Sequence, residues 1–489
     1  MGNISEKYFI KLCKDTFDDN LIYIINTDSY LRQPCYSSKA RNYYYLILEK
    51  LDNQQLNALK YLQGEFPEFI LNCLSYEELE NYPSHSKWQF IFSPIIYNKY
   101  NVLIEHLNTQ DYVDSIANAI INVGHIARLY YLSDLDDKSH TWAVRQLGWA
   151  LRYAEKGIVN LWNYIQIGEY SNSNTDLNIT GEIEWLITIN NFWEKFEYEL
   201  LQNIEEYKKA SLILNRIVQY YSEKLATNIT NSNFIEDSSN EYDESKFHFI
   251  SLITNDLKQK FNDNLRTFYL YGSAARGEQH KTSDVDSIVV FDKLDDDTLA
   301  VLREIKVNHP NLSIYSLSIN DLIIYPSFKY YTQNLGSKKI YGNISFKPAN
   351  SLDDIINGMI NNLFIIIQIS RAYLIGENFG PRAIHLLKLM MKLADHGCMR
   401  LLINYYKKEF PQNKEEVKAF FKEELLANKV IDFVININDE ADKIKASLLN
   451  GNNSLITENY QLLISFAKDF YSKVKKLKME GNNYETSKL

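Results

Sequence analysis

The stretch from Tyr271 to Phe291 reads YGSAARGEQHKTSDVDSIVVF, and the fold of the second half of the chain follows from it. The apolar residues before Gly272 predict a strand that ends at this glycine, where the backbone can approach an anion closely. Ser273 adds a hydroxyl donor, and residues 274–280 predict the first turn of a helix, whose free N–H groups favour an anion. The opening of the stretch therefore predicts a cradle for phosphate.

The stretch closes with an Asp-x-Asp pair that runs into a second apolar strand. Asp284 and Asp286 are two residues apart, and on a strand this spacing turns both carboxylates to one face. Two hard oxygen ligands opposite a phosphate cradle suit Mg²⁺ bound to a nucleotide. A Gly-Ser turn and a solvated Ser-Asp pair are each common in ordinary loops. Their combination between two strands favours the nucleotide site.

These residues resemble the signature of the nucleotidyltransferase superfamily with the polymerase β-like fold, which is Gly-Ser, a short loop and Asp-x-Asp. The YGS opening and the Gly-to-Asp interval are most similar to the kanamycin (aminoglycoside) nucleotidyltransferase branch. That branch also has Gly-Pro at the place of ENFGPR, residues 377–382. The resemblance implies an adenylyltransferase that uses ATP or another nucleoside triphosphate with Mg²⁺ or Mn²⁺. It assigns the metal to Asp284 and Asp286, and the nucleotide to Gly272, Ser273, Arg276 and Ser283.

Composition limits the other function classes. The 489-residue chain carries a net charge of −10, which argues against a nucleic-acid partner and suits a cationic small substrate. The four cysteines are widely spaced, and the N terminus lacks the apolar core of a signal peptide, so we expect a cytoplasmic protein. No apolar run is long enough to cross a bilayer, so we expect no membrane partner.

The chain contains an internal repeat. Residues 48–83 (LEKLDNQQLNALKYLQGEFPEFILNCLSYEELENYP) align without gaps to residues 291–326 (FDKLDDDTLAVLREIKVNHPNLSIYSLSINDLIIYP), at an offset of 243. Arg128 pairs with Arg371 at the same offset, and the helix-forming sequence that follows each copy also matches. Self-similarity over this distance predicts two copies of one structural unit.

The repeat predicts an α+β protein with two small nucleotidyltransferase α/β domains, each with a mixed sheet and each followed by an α-helical domain. The predicted boundaries are 1–105 for a degenerate α/β domain, 106–226 for a helical domain, 227–246 for a polar linker, 247–346 for the intact α/β domain and 347–489 for a second helical domain. We expect strands near 21–25, 43–48, 69–74, 90–96, 266–271, 287–291, 312–317 and 339–341, and one long helix from Ile183 to about Leu225.

The first copy lacks the site. Asp284 and Asp286 fall opposite Arg41 and Tyr43, and the corresponding turn has no Gly-Ser pair. An arginine at this place would repel a divalent cation. We therefore expect a catalytically inactive first copy. Two roles remain open for it, a structural partner domain and a substrate-binding or regulatory pseudoenzyme domain.

The resemblance further implies that each site is completed by the helical domain of a partner subunit. The two halves of this chain would then form an intramolecular pseudo-dimer. Arg128 and Arg371 fall near the position of the phosphate-binding lysine of that branch. The position of its glutamate base falls near residues 367–368 in the second copy and near His125 in the first, and neither copy has a glutamate there. A histidine can act as a general base near neutral pH, and an ordinary packed or surface histidine is the alternative.

One position departs from the pattern of the superfamily. The superfamily usually has a third carboxylate on the next strand. In this chain that position is Ser313, which is a weak Mg²⁺ ligand. Three explanations remain open: one well-bound ion suffices, another acid such as Asp292 or Glu278 replaces it, or activity is low. The role of Arg276 also remains open, since it could be a solvated loop arginine that binds no phosphate.

The sequence therefore predicts Mg²⁺-dependent transfer of a nucleoside monophosphate, AMP from ATP in the simplest case, to a hydroxyl of a small molecule. An aminoglycoside-like acceptor fits the resemblance. One alternative is transfer to a protein or to tRNA, and the acidic charge weighs against tRNA. The other is a catalytically weakened nucleotide-binding or scaffold protein, which Ser313 and the degenerate first copy suggest.

Overall fold

The computed structural model divides the chain into two compact units. Unit 1 comprises Met1–Asn108 and Asn350–Leu489, and unit 2 comprises Thr109–Ala349. Each unit therefore joins an α/β segment from one half of the chain to a helical segment from the other half. The structure describes all residues except 1, 28–41, 102–103, 134–136, 172–178, 230–233, 238–247, 277–284, 327–328, 330–336, 347–351, 377–382, 408–409, 412, 422–427, 450–451 and 487–489.

Unit 1 contains a four-stranded mixed sheet with helices on both faces. Its elements are α1 (Gly2–Phe17), β1 (Leu21–Thr27), β2 (Asn42–Leu48), α2 (Asn53–Glu65), β3 (Phe69–Ser75), α3 (Tyr76–Glu80), α4 (Ser84–Ile91) and β4 (Ile95–Asn98). The strand order is β3-β2-β1-β4, in which β2 and β3 are parallel and the other pairs are antiparallel. Phe9 of α1 and Leu59 of α2 pack on one face of the sheet, and Phe90 of α4 packs on the other.

Unit 2 begins with a helical segment. Its helices are α5 (Thr109–Leu132), α6 (Asp137–Ala154), α7 (Leu161–Ile167), α8 (Thr180–Asn191), α9 (Trp193–Gln202) and α10 (Ile204–Ala226), with a π-helical turn at Glu155–Asn160 between α6 and α7. The α/β segment follows with β5 (Phe234–Glu236), α11 (His248–Phe261), β6 (Leu265–Leu270), α12 (Gly272–Arg276), β7 (Val285–Phe291), α13 (Asp296–Asn308), β8 (Leu312–Ser318), α14 (Ile319–Ile323), β9 (Lys338–Gly342) and β10 (Ile344–Phe346).

The main sheet of unit 2 has the order β8-β7-β6-β9, with β7 and β8 parallel and the other pairs antiparallel. Helices α11 and α13 bury their apolar faces on one side of it, around Phe268, Val289 and Ile314. Because side chains alternate along a strand, Asp286 and Tyr315 project from the opposite side. Helix α5 contacts β8 and brings its side chains to that side.

The second helical segment belongs to unit 1. Its helices are α15 (Leu352–Ile375), α16 (Ala383–Ala394), α17 (Arg400–Lys407), α18 (Lys414–Phe421), α19 (Asn428–Ile435), α20 (Ile437–Leu449) and α21 (Ser454–Thr486), with a π-helical turn at Asp395–Met399. Among the described residues, α15 alone is long and apolar enough to cross a membrane, but 72% of its most apolar window is buried inside the protein. Its apolar surface forms part of the core of unit 1.

The two α/β segments share their local geometry. Tyr43 pairs with Ile70 across β2 and β3, and Asp286 pairs with Ser313 across β7 and β8, so both pairs keep the offset of 243. The strand order is the same in both sheets, and a π-helical turn follows the second long helix of each helical segment.

Two sequence expectations about local structure are wrong, and a third segment contains a short strand that the sequence did not predict. The apolar run 90–96 is not one strand, because α4 extends to Ile91 and the strand begins only at Ile95, after a proline that cannot donate to a ladder. The long helix from Ile183 breaks into α8, α9 and α10, and the Asn203 side chain caps the start of α10. The polar linker contains β5, which pairs with β10.

Candidate functional site

The centre of the candidate site is the turn between β6 and α12. The Tyr271 N–H donates to the Asp286 carbonyl at 3.0 Å, which ties the turn to β7. Gly272 has a φ of +70°, and a Cβ built on it would lie 2.7 Å from Asp286 Oδ2. A side chain at this position would therefore clash with the carboxylate and strain the backbone. The glycine lets the backbone of the turn lie directly against the predicted metal ligand.

The structure describes the other predicted residues of this turn only in part. Ser273 and Arg276 lie on the backbone of α12. Asp284 and Ser283 lie outside the described residues, as does the ENFGPR segment. The structure therefore brings Gly272 and Asp286 together, and the remaining assignments stay predictions.

Ser313 occupies the strand position beside Asp286. The two residues are Cα partners across β7 and β8, and the Ser313 carbonyl accepts a hydrogen bond from Ser287 Oγ at 2.9 Å. Asp292 lies beyond the opposite end of β7, where it pairs with Arg266 at 2.8 Å. Asp292 therefore does not replace the third carboxylate, and the other candidate, Glu278, lies outside the described residues.

The donors at this turn fit a hard divalent cation. No group of three or more His, Cys, Asp or Glu side chains that could hold a metal occurs in the described part of the chain. The Asp286 carboxylate stands next to the glycine turn, with predicted Asp284 two residues before it. Carboxylate and hydroxyl oxygens are the ligands that Mg²⁺ accepts, with water or substrate oxygens completing its shell.

His125 of α5 lies on the face of the sheet that carries Asp286. Its ring centroid is 4.6 Å from that of Tyr315 on β8. Burial, with the cations Lys329 and Arg128 nearby, lowers the pKa of His125 to about 4. The imidazole is therefore neutral at pH 7 and can accept a hydrogen bond, but it is a weak base for a proton released near neutral pH.

Lys329 is a buried cation beside α5 that the sequence did not single out. Its amine donates a hydrogen bond to Asn122 of α5, one helical turn before His125. Burial lowers the pKa of Lys329 to about 7. Burial also raises the pKa of Tyr271, with the charge of Asp286 as the next cause. Such shifted groups cluster at functional sites, but a lone lysine after α14 carries no periodic signal that could have revealed it.

The structure places Arg128 in a buried ion pair. The side chain is 2% exposed, and its Nη1 donates to Asp321 Oδ2 at 2.7 Å and to the Ser316 carbonyl at 3.1 Å. Its Nε donates to Asn215 Oδ1 of α10 at 2.8 Å. These partners lie toward the end of β8 away from Ser313. The guanidinium is therefore bound within the fold and does not face the Gly272–Asp286 turn.

Arg371 makes the corresponding pair in unit 1. It is 1% exposed, and its two terminal nitrogens donate to the Glu78 carboxylate at 2.6 and 2.7 Å. Nη1 also donates to the Cys73 carbonyl at 3.3 Å. Glu78 and Asp321 each belong to a capping box, on α3 and α14. Both arginines thus join a helical segment to an α/β segment.

The corresponding place in unit 1 has no carboxylate among its described residues. Tyr43 occupies the strand position of Asp286, and Thr27 pairs with it on β1. Both side chains are buried, and Thr27 Oγ1 donates to the Tyr43 carbonyl at 3.4 Å. Arg41 lies outside the described residues. The described part of this turn offers no acidic ligand for a cation.

Comparison with known proteins finds a family match in the second α/β segment. Residues 253–334 match the family described as Polymerase beta, Nucleotidyltransferase. Among solved structures, the chain is similar to spectinomycin adenyltransferase AAD(9) from Enterococcus faecialis, determined with ATP and spectinomycin, at 14% identity and a TM-score of 0.29, covering 45% of this chain and 98% of that one. No curated protein matches the chain. The family match lies within the second α/β segment and covers less than half of the chain.

Proposed function

We propose that unit 2 transfers a nucleoside monophosphate, AMP from ATP in the simplest case, to a hydroxyl of a small molecule. The contact between the Gly272 turn and the Asp286 carboxylate, inside the segment that matches the nucleotidyltransferase family, carries this proposal. The net charge of −10 favours a cationic acceptor, such as an aminoglycoside-like compound.

Each predicted residue has a role in this reaction. Asp284 and Asp286 would hold Mg²⁺ or Mn²⁺, which neutralises charge on the triphosphate. Gly272, Ser273, Arg276 and Ser283 would bind the phosphate oxygens. The acceptor oxygen forms a bond to the α-phosphorus, the bond to the pyrophosphate oxygen breaks, and the hydroxyl proton leaves. Catalysis then depends mainly on alignment and on charge stabilisation.

His125 and Lys329 are the two candidates for accepting the hydroxyl proton. His125 lies on α5 and contacts Tyr315, and the Lys329 amine reaches α5 through its hydrogen bond to Asn122. The pKa of His125 is about 4, and that of Lys329 is about 7. A base works best when its pKa is near the working pH. The Lys329 amine is therefore the better candidate to accept the proton, with His125 as a neutral hydrogen-bond acceptor.

The proposal extends to the organisation of the chain. The shared strand order and the constant register offset support a tandem duplication with an inactive first copy. The two halves would then form an intramolecular pseudo-dimer in which each helical domain serves the α/β domain of the other half. Arg128 and Arg371 would hold these domains together and would not bind nucleotide. Three buried free cysteines, Cys13, Cys73 and Cys398, support a cytoplasmic protein.

Two measurements test the activity. ATP binding is measured with and without Mg²⁺, and pyrophosphate release is then measured with ATP against spectinomycin, other aminoglycosides, a protein mixture and tRNA. We expect binding that needs Mg²⁺ and release that needs a small hydroxyl acceptor. Release only with protein or tRNA would replace the acceptor class, and binding without release would support the scaffold alternative.

Asp286→Asn tests the site assignment, with Asp292→Asn as a matched control. Loss of the metal ligand should lower turnover at least about a hundredfold, the scale of removing one group that stabilises transition-state charge. Asp292 pairs with Arg266 at the other end of β7, so its substitution should leave turnover near the wild-type value. Full turnover by an Asp284→Asn/Asp286→Asn double variant would reject the site.

A further inference from the structure

An open cleft in unit 2 lies at the end of the main sheet away from Gly272. Its volume is about 470 Å³, within the range of small-molecule pockets, roughly 300–1,000 Å³. It is formed by the turn before β6, the first residues of that strand, and the carboxyl ends of β7 and β9. The residues that give it its character are Asp263, Arg266, Asp292, Tyr341 and Asn343.

The internal repeat gives this cleft a counterpart in unit 1. The turns before β1 and β6 are each one turn of 3₁₀ helix, Asp18–Asn20 and Asn262–Asn264, and their first residues have φ values of 44° and 45°. In each turn the third residue, an asparagine, exchanges two hydrogen bonds with the backbone of a lysine just after the neighbouring strand. The two turns therefore match residue for residue, and Asp19 corresponds to Asp263.

In unit 1 an amine is bound at this turn. Lys99 Nζ donates to the Asp19 carbonyl at 2.6 Å and to the Asp19 carboxylate at 3.0 Å. The residue at the position of Lys99 in unit 2 is Asn343, since the N–H groups of both donate to equivalent carbonyls near the start of β1 and β6. The Asn343 side chain accepts a hydrogen bond from Arg266 Nε at 3.4 Å. Unit 2 thus has a short, uncharged side chain where unit 1 has an amine.

This replacement leaves the Asp263 carboxylate without a cation. It makes no ion pair and no hydrogen bond with the part of the chain that the structure describes. Arg266 also lines the cleft, but it binds Asp292 at 2.8 Å, so its charge is already balanced. A cation that enters the cleft would therefore meet a carboxylate with free acceptor sites.

Lys258 stands near the cleft but does not take the place of the missing amine. Its amine lies over the Tyr341 ring, 4.3 Å from the ring centroid. Lys14 of unit 1 lies over the Tyr97 ring in the same way, at 5.3 Å, while Lys99 binds the aspartate of the turn. The cation over the ring and the cation at the turn are therefore separate features, and among its described residues unit 2 has only the first.

We infer that the unit 2 cleft binds a primary alkylammonium group, in the way that the turn of unit 1 binds the Lys99 amine. The ammonium would donate to the Asp263 carboxylate and carbonyl, and its alkyl chain would occupy the space that a lysine stem would take at Asn343. A free alkyl amine or a lysine side chain of another protein could supply this group. The inference does not depend on the activity proposed for unit 2, because the cleft lies at the opposite end of the sheet.

Ligand-observed NMR titration of the full chain with pentylamine tests this inference. Pentanol serves as the neutral ligand of similar shape, and N-acetyl-lysine methylamide represents a lysine side chain in a protein. We expect saturable amine binding, with pentanol at least about threefold weaker, the scale of one exposed charge pair. Tighter binding of pentylamine would favour a free amine as the source, and tighter binding of the lysine compound would favour a protein. Equal binding of pentylamine and pentanol, or no saturable binding of either amine, would overturn the inference.

Two variants locate the site. Asn343→Lys places the lysine of unit 1 in the cleft and should abolish the saturable binding. Asp263→Asn should weaken pentylamine at least about threefold, while the matched change Asp19→Asn should leave it unchanged, because that turn is occupied by Lys99. Circular dichroism melting checks that each variant folds. Unchanged pentylamine affinity in either Asn343→Lys or Asp263→Asn would place the ligand elsewhere and reject the inference.

Lys99→Asn provides the reciprocal test. It removes the amine from the turn of unit 1 and should create a second cleft, so the amount of pentylamine bound at saturation should rise about twofold. A variant that folds and binds no more pentylamine than the unaltered chain would also reject the inference, because the acceptors at Asp19 would then not suffice to hold an amine.

Discussion

Replacing Gly272 by alanine tests the geometry of the candidate site most directly. The added Cβ would lie 2.7 Å from Asp286 Oδ2, and the φ of +70° is unfavourable for any other residue. The backbone conformation alone should lower the free energy of unfolding by about 1–2 kcal/mol. The close contact adds a second effect, because the Asp286 carboxylate must move away from the turn.

Gly168→Ala is the matched control. Gly168 has a φ of +76° at the end of α7, and a Cβ there would meet nothing within 4 Å. Both variants should therefore lose a similar amount of stability in urea unfolding, about 1–2 kcal/mol. Only Gly272→Ala should lose ATP affinity in the presence of Mg²⁺, by at least about tenfold, since a shift of about 1 Å in a positioned group has large effects.

Equilibrium dialysis with ATP and Mg²⁺ measures this difference. Equal ATP affinity in the two alanine variants would refute the reasoning, because the Gly272–Asp286 contact would then have no part in binding. Loss of ATP affinity in both variants would also refute it, since Gly168 directly follows α7 and no substrate role is assigned to it.

Two further predictions concern buried charges. If the Lys329 amine accepts the proton, kcat should rise with pH through about 7 and level off above it, because only the neutral amine can accept a proton; Lys329→Gln should remove this limb of the pH profile, and a variant that keeps it would exclude Lys329. Asp321→Asn should lower the free energy of unfolding by about 3–5 kcal/mol, because it leaves the buried Arg128 guanidinium without its counterion. The surface pair of Arg216 and Asp296 provides the control, since Asp296→Asn should cost about 1 kcal/mol or less in the same urea titration.

The sequence predicted the strands of both sheets well where an apolar run was bounded by polar residues. The strand expected at 312–317 is found as Leu312–Ser318, and that expected at 69–74 as Phe69–Ser75. The strand expected at 90–96 was wrong because a buried helix and a buried strand can both have a continuous apolar sequence. Trp88 and Phe90 are fully buried from α4, and only the proline between the two elements marks their boundary.

The site was predictable only where local sequence determines it. Gly272 and Asp286 belong to one turn and the strand after it, so their meeting follows from local chain geometry. The alignment paired Arg128 with Arg371, but it could not reveal that Asp321 and Glu78 bind them, because these partners come from distant segments. The same reason hides Lys329, whose environment is set by packing against α5.

The division of the chain into units has a consequence for protein synthesis. Unit 2 is one continuous segment, whereas unit 1 needs both residues 1–108 and residues 350–489. The ribosome adds roughly 5–20 residues each second, so the first segment waits for at least about ten seconds before its helical partner emerges. During this time α1, α2 and the first sheet lack the cover that α15 gives them in the finished fold. Unit 2 can fold before unit 1 is complete. Residues 1–108 are therefore the part of the chain most exposed to chaperones and to aggregation during synthesis.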